Sequence, residues 1–228
     1  MSEPVAATAG PAVAMVGRRC TPAEPLRVAV LASGGGSNLQ ALLDARGQGP
    51  WQVVVVVVNV AGAGAIARAE AVGVPVVLVP HTGLSRPDHE ARVLDVLAAH
   101  DVELVVLAGY MRVLTGAFVG RFSRRIVNVH PALLPSFPGM HGARQALDHG
   151  CRVAGCTVHL VDAGVDTGPI LAQAAVAILD DDDEAALQRR IQVQEHRLLP
   201  AVVTAWADGR VVEQGGVIRC RGVVTPTV

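Results

Sequence analysis

Asn128 and His130 stand two residues apart in the stretch NVHPALLP, residues 128–135. Side chains on an extended strand alternate between faces with a period of two, so this pair is aimed at one object. An amide N–H2 and a protonated imidazole both donate, and together they suit a single developing oxyanion. Pro131 restricts the backbone of His130 to extended conformations. Pro135 and Pro138 stiffen the next stretch of chain, and an X–Pro bond in this run is a candidate for the cis form. A histidine in such a place serves equally well as a satisfied structural residue. The other histidines read that way, and His159 stands apart only because its strand leads to Asp162 and Asp166.

Asp166 lies between Gly164 and Gly168 in DAGVDTGP. A turn aspartate commonly bonds its own backbone. Brought near His130, its charge would favour the imidazolium that the donor role needs. A third chemical stretch is SGGGSNLQ, Ser33 to Gln40, a glycine-rich turn between an apolar run and a helical one. Exposed amide N–H groups and a helix start make such a turn an anion site. Ser37 and Asn38 add side-chain donors or cap the helix. The dinucleotide fingerprint fails here, because Leu39 holds its third glycine position and Asn59 follows the second strand where an acidic residue belongs. The mononucleotide phosphate loop also fails, since it needs a lysine and the chain has none. A lone phosphate on a small substrate fits better; a plain tight turn with a cap is the alternative.

Composition narrows the classes. The chain has 228 residues, 51% hydrophobic and 17% charged, with a formal net charge of −1. That length suits one α/β domain. The balance gives no electrostatic footprint for nucleic acid. All 19 basic residues are arginine, which excludes a Schiff-base lysine. Cys20, Cys151, Cys156 and Cys220 form no C-x-x-C pair. Cys151 and Cys156 near His149 and His159 lack the tight paired spacing of zinc sites, so no metal is expected. The cysteines read as reduced thiols of a cytoplasmic protein. No run reaches the roughly 18 apolar residues of a membrane span. Residues 1–24, rich in Ala, Pro and Gly, make a poor signal peptide and read as a disordered tail, with Met15 an alternative start. Residues 25–228 read as a single domain.

From Leu26 the pattern is regular. LRVAVLA, VVVVVV (Val53 to Val58), VPVVLVP, VELVVLAG and RRIVNVH read as strands. Between them LQALLDARG, GAIARAEAVG, RPDHEARVLDVLAAH and TGAFVGRF read as helices. The alternation predicts an α/β fold, a doubly wound, Rossmann-like, mostly parallel sheet. Two further extended runs around Gly164 and Gly168 predict an added antiparallel hairpin toward the C-terminus. Asp180 to Glu184 should cap a helix running from about Ala185 toward Trp206, kinked at Pro200. A small hairpin is expected around Gly215-Gly216. Ligands of open parallel sheets bind beyond the carboxyl ends of the strands, near the switch in strand order, so SGGGSN, GYMRVL and NVHPALLP should gather on one edge.

SGGGSNLQ, LAGYMRVL, NVHPALLPSFPG, DAGVDTGPI and QVQEH occur in the order seen in phosphoribosylglycinamide formyltransferases, the glycinamide ribonucleotide transformylases of purine synthesis. The chain resembles that family over roughly Leu26 to Gly209. The resemblance implies transfer of a formyl group from 10-formyltetrahydrofolate, as cosubstrate, to the amine of the glycinamide ribonucleotide. It implies that Asn128, His130 and Asp166 are catalytic and that Gly36, Ser37 and Asn38 hold the substrate phosphate. Gln192 and Glu195 would contact the ribose and glycinamide portion, while Arg86 and Met111, Arg112, Val113 and Leu114, with Asn128, would line the folate site. The phosphate would then belong to the N-terminal half, folate and catalysis to the C-terminal half. NVAGAGA lacks the charged residue often seen there, so nothing is assigned to it. Apolar helix faces leave a homodimer open, without a specific signal for one.

Three alternatives share features with this reading. A methionyl-tRNA formyltransferase would need a basic surface and a further C-terminal domain. A formyltetrahydrofolate hydrolase would usually carry an N-terminal regulatory domain. A non-catalytic nucleotide-binding regulator would need only the glycine loop, and leaves Asn128, His130 and Asp166 unexplained.

Overall fold

The computed structural model describes residues 13–223. Its centre is a seven-stranded sheet. In chain order the strands are β2 (Leu26–Ala32), β3 (Trp51–Val58), β4 (Val76–Leu78), β5 (Leu104–Leu107), β6 (Ile126–His130), β7 (Val153–Leu160) and β8 (Ile170–Ala177). Their order across the sheet is β4-β3-β2-β5-β6-β7-β8. The first five are parallel; β7 runs antiparallel to β6, and β8 to β7. The parallel part with its added hairpin is the architecture expected from the pattern.

The valine run makes a strand because β-branched side chains are stiff at χ1 and pack well on a pleated surface. Val55 to Val58 have no exposed surface, and each contributes roughly 1.5–2 kcal/mol by leaving water. Both faces of the sheet are covered, so alternate residues of one strand feed separate cores. Val28, Val30 and Ala32 join a core with Leu39, Leu42 and Leu43 of helix α1 (Ser37–Asp44) and with Leu187, Ile191 and Val202 of helix α6 (Glu184–Ala207). Ala29 and Leu31 join the other core, with Val93 and Leu97 of helix α3 (Arg86–Ala99) and Phe118 of helix α4 (Gly116–Arg121). Helices α2 (Gly64–Glu70) and α5 (Gly142–Asp148) complete the layers. Helix α5 has no counterpart in the sequence pattern, since its two turns carry no side-chain cap and too few residues to show a period.

Helix boundaries follow local chemistry. Asp183 caps α6 by accepting from Ala186 N at 2.6 Å, as the acidic run predicts. Ser85 caps α3 by accepting from Asp88 N at 3.2 Å, and Pro87 occupies its first turn. Helix α6 is continuous through Pro200 over its 24 residues.

The N-terminal expectation needs correction. Residues 1–12 lie outside the described residues, but 13–24 do not form a loose tail. Strand β1 (Val13–Met15) pairs antiparallel with β9 (Val211–Gln214), which also pairs with β10 (Val217–Cys220), so the expected C-terminal hairpin becomes a three-stranded sheet. Beyond β1, Arg18 makes a two-pronged ion pair with Glu103, at 2.7 and 3.0 Å, and Cys20 N bonds Ala207 O at 2.8 Å. Composition misses this because a three-residue strand has no period; its order is supplied by a partner almost two hundred residues away in sequence.

His89 and Glu90 of α3 are buried. His89 Nε2 bonds the Val79 carbonyl at 2.9 Å, while its Nδ1 has no partner among the described residues. Burial holds its pKa below the ordinary value; the Val79 bond opposes this, Arg112 and His81 add to it, and Glu90 opposes it. The unfolded chain therefore takes up this proton first as pH falls. The stability linked to neutral His89 is whole above about pH 6.5 and is lost as pH falls from there toward the folded value. His89→Phe should melt at a temperature that rises relative to wild type as pH is lowered from 7.5 to 5.5, read by scanning calorimetry at fixed ionic strength. Parallel melting curves across that range would show that His89 is not an acid-sensitive point.

Candidate active site

Strands β2, β3 and β4 lie on one side and β5 and β6 on the other, so the switch in strand order falls between β2 and β5. The loops leaving these two strands are tied across it. Ser33 N donates to Gly109 O at 3.1 Å, and Met111 N donates to Ser33 Oγ at 2.9 Å. Ser33 Oγ donates to Asn59 Oδ1 at 2.7 Å, and the Asn59 amide contacts His81 Nδ1 at 3.3 Å. The glycine loop and the 109–114 segment thus share one edge, as fold geometry requires.

The end of β6 supplies the third part. Asn128 sits opposite Leu107 on β5 and opposite His159 on β7; His130 sits opposite Thr157. Asp166 comes from the loop between β7 and β8, whose shape is stapled by Asp162, accepting from Gly164 N at 3.0 Å and Thr167 Oγ1 at 2.7 Å. Asp166 adopts φ 54°, a left-handed conformation that aspartate tolerates better than most residues. Its Oδ2 accepts from Gly139 N at 2.8 Å and lies 3.4 Å from His130 Nδ1; its Oδ1 lies 3.5 Å from His159 Nε2. The residues named from sequence do converge: Asn128, His130 and Asp166 form one cluster.

His159 completes that cluster, although its sequence context reads only as a structural histidine. Its Nδ1 donates to Leu160 O at 2.8 Å, so in the neutral ring Nε2 accepts from Asn128 Nδ2 at 3.1 Å. Protonated, Nε2 becomes a donor facing Asp166. Neutral, His159 orients the Asn128 amide; protonated, its Nε2–H donates toward the carboxylate instead. Burial by itself raises the Asp166 pKa, but the His159 bond, the Gly139 N–H and the charge on His130 outweigh it and hold the group below its ordinary value.

The donor role expected of His130 takes a different form in the structure. Its Nε2 donates to the Phe137 carbonyl at 2.8 Å, while Nδ1 faces Asp166. Phe137 itself has φ 55°. Both ring nitrogens face acceptors, and only the doubly protonated ring can donate to both. To donate to a substrate oxygen, Nε2 must exchange the Phe137 carbonyl for it. The loop between is held from below. Thr157 Oγ1 donates to Ala132 O at 2.7 Å and accepts from Leu134 N at 3.0 Å, and Gln173 Nε2 donates to Leu134 O at 2.9 Å. The Leu134–Pro135 bond is cis.

At the glycine loop, the helix cap is Gly36 rather than Ser37 or Asn38. Gly36 has φ 74°, and a Cβ there would lie 2.8 Å from Ala65 Cα, so this position needs glycine on two counts. The Asn38 side chain is committed elsewhere: Nδ2 donates to Glu195 Oε2 at 2.9 Å, joining the loop to α6. Asn38 Oδ1 is buried without a partner among the described residues. Burial pushes the Glu195 carboxyl above its ordinary value, with the Asn38 bond opposing. Gln192 lies one turn earlier on α6 and is half-buried.

The 111–114 segment divides. Met111 and Val113 are exposed, Met111 by 68%, and Arg112 is half-buried. Leu114 is buried in the core with Tyr110 and Phe118, so only its backbone is available to a ligand, a correction to the expectation for its side chain. Thr115, directly after it, bonds buried Glu90 through its N–H, at 2.8 Å, and through its hydroxyl. Arg86 is exposed at the start of α3 and takes no part in the bonds that join the glycine loop to the 109–114 segment. A cavity of about 770 Å³ runs between α1 and α6; Ser37 and Gln40 line it from the glycine-rich stretch, and Asn128, His130 and Asp166 do not.

The glycine loop at the switch point and the cluster of amide, imidazole and carboxylate groups at the end of β6 stand on the edge where open α/β sheets bind ligands. Residues 26–203 match the family described as formyl transferase, and the chain belongs to that family. The phosphoribosylglycinamide formyltransferase of Mycobacterium tuberculosis is 50% identical over 201 residues, covering 86% of this chain and 92% of that one. The crystal structure of glycinamide ribonucleotide transformylase 1 from Symbiobacterium toebii aligns with a TM-score of 0.83 at 46% identity, covering 86% of this chain and 94% of that one. The phosphoribosylglycinamide formyltransferase of Anaplasma phagocytophilum aligns with a TM-score of 0.82 at 38% identity, covering 87% and 96%. No helix among the described residues is long and apolar enough to cross a membrane.

Proposed function

We propose that the protein is a phosphoribosylglycinamide formyltransferase, which moves the formyl group of 10-formyltetrahydrofolate to the amine of 5′-phosphoribosylglycinamide in cytoplasmic purine synthesis. The observation that carries this reading is that Asp166 brings His130 and His159, and through His159 the Asn128 amide, into one cluster at the end of β6, on the sheet edge where β2 also ends in the glycine loop.

In this reading the neutral substrate amine attacks the formyl carbon. An N–C bond forms and the carbonyl pair moves onto oxygen. Asn128 and His130 donate to that oxyanion, His130 by exchanging the Phe137 carbonyl for it. Asp166 balances the imidazolium and fixes its ring. Collapse breaks the bond to folate N10, which takes up the proton the amine gives up. The formyl group is already activated, so positioning and oxyanion stabilisation carry the acceleration. Gly36, Ser37 and Asn38 hold the phosphate, Asn38 through its backbone N–H because its side chain belongs to Glu195. Gln192 and Glu195 meet the ribose and glycinamide portion. Arg86 and the 111–114 segment, with Asn128, receive the folate, the segment pinned at its ends by Ser33 and Glu90. This assigns the phosphate to the N-terminal half and the folate and chemistry to the C-terminal half.

Incubation with 10-formyltetrahydrofolate and glycinamide ribonucleotide should consume both and yield the formylated amine, followed by donor absorbance and chromatography. Formate without acylated amine would identify a hydrolase, and no reaction would leave a binding protein.

A further inference from the structure

Four consecutive amides at the glycine loop, those of Gly35, Gly36, Ser37 and Asn38, have no hydrogen-bond acceptor among the described residues. Those of Gly36, Ser37 and Asn38 are the usual unsatisfied N–H groups of a helix start. Those of Gly35 and Gly36 are also turned outward by what holds the preceding carbonyls. Gly34 O accepts from Ala65 N at 3.2 Å, and Gly35 O accepts from Arg68 Nε at 2.8 Å. In a planar trans peptide the C=O and the following N–H point in opposite directions. Binding both carbonyls to α2 therefore points the Gly35 and Gly36 N–H groups away from α2, on the same loop as the helix-start donors. Such a run of amides is an anion nest.

We propose that Arg68 is a positioning residue for the phosphate of the amine substrate, an inference that rests on the proposed formyltransferase function. Its guanidinium joins three elements. Beyond the Gly35 carbonyl, Nη1 donates to Gln40 Oε1 on α1 at 3.1 Å, and Gln40 Nε2 is held by Asp44 Oδ1 at 2.8 Å. Nη2 makes no hydrogen bond among the described residues. The approach is close because small residues line it: a Cβ on Gly64 would lie 3.1 Å from Gly35 O. The stretch Ser33 to Gln40 carries no charge and the chain contains no lysine. Arg68 thus fixes the loop in its amide-out form and brings a positive charge to the edge of a cradle that otherwise meets a dianion with neutral donors. In sequence it reads as a surface arginine on a short helix, and only the docking of α2 on the loop reveals the contact.

Arg68→Met keeps the length of the stem and removes the charge and both donated bonds. Arg68→Lys keeps the charge but cannot hold the carbonyl and the amide together. With the wild-type protein active, Arg68→Met should raise KM for glycinamide ribonucleotide about 10- to 100-fold. Its kcat should stay within about threefold and KM for the formyl donor within about twofold. Arg68→Lys should recover part of the loss. Inorganic phosphate should compete with the ribonucleotide in wild type and at least about tenfold more weakly in Arg68→Met. Unchanged ribonucleotide KM in both variants, or equal loss of affinity for both substrates, overturns the inference and leaves the proposed function standing. A wild-type protein that does not formylate the ribonucleotide, yet whose phosphate binding depends on Arg68, overturns the function instead.

Discussion

His130→Ala should lower kcat by roughly 10²- to 10³-fold, equivalent to about 3–4 kcal/mol of transition-state stabilisation, with KM for either substrate moving only a few-fold. The split follows from the role. The oxyanion exists only after attack, so a group that serves it affects turnover rather than ground-state binding. His130 is 3% exposed, bonded to the Phe137 carbonyl and opposed by Asp166. Removing it also leaves a carbonyl and a carboxylate short of a partner, at a cost to folding of about 1–3 kcal/mol. Thermal melting must therefore accompany the kinetics, with kcat measured well below the variant's melting temperature. A folded variant turning over within threefold of wild type would falsify the assignment of His130 to the chemistry.

Asp166→Asn should lower kcat by roughly 10²-fold or more, although the shape of the side chain is kept. An amide oxygen can still accept from Gly139 N, so the loop need not move. What disappears is the charge facing His130 Nδ1 at 3.4 Å and His159 Nε2 at 3.5 Å. If the carboxylate acts through His130, the two losses overlap. The double variant His130→Ala/Asp166→Asn should then have a kcat within about fivefold of the slower single variant. Multiplying losses would mean that Asp166 works independently, for example on the amine directly, and the proposed division of roles would be wrong.

How much of the molecule is legible in its sequence varies with the range of the interaction involved. The valine strand and the α6 cap within the acidic run are readable, because β-branched stiffness and short side-chain bonds act within a few residues. Asn128 and His130 are readable as a pair, since strand geometry puts both on one face. Gly36 and the anion character of its loop are readable for the same local reason. The roles of His159 and Arg68 are not. His159 meets Asn128 only because β7 runs antiparallel to β6 in one particular register, and a slip of one residue would send it to the opposite face. Leu114 reads like its exposed neighbours Met111 and Val113 until the core claims it.

By itself the sequence determined the alternation of strands and helices, the two-faced burial of the sheet, and the presence of a loop, a donor pair and a turn aspartate. Backbone sterics and apolar periodicity dictate those over short spans. Folding of the whole chain decided which groups face one another: Asn38 with Glu195, 157 positions away; Asp166 with His130 and His159; Arg18 with Glu103; the strand at residues 13–15 with the one at 211–214. Those contacts come from strand order and helix docking, and the free energy that selects one arrangement comes from burying the whole core at once, which no single stretch of residues contains.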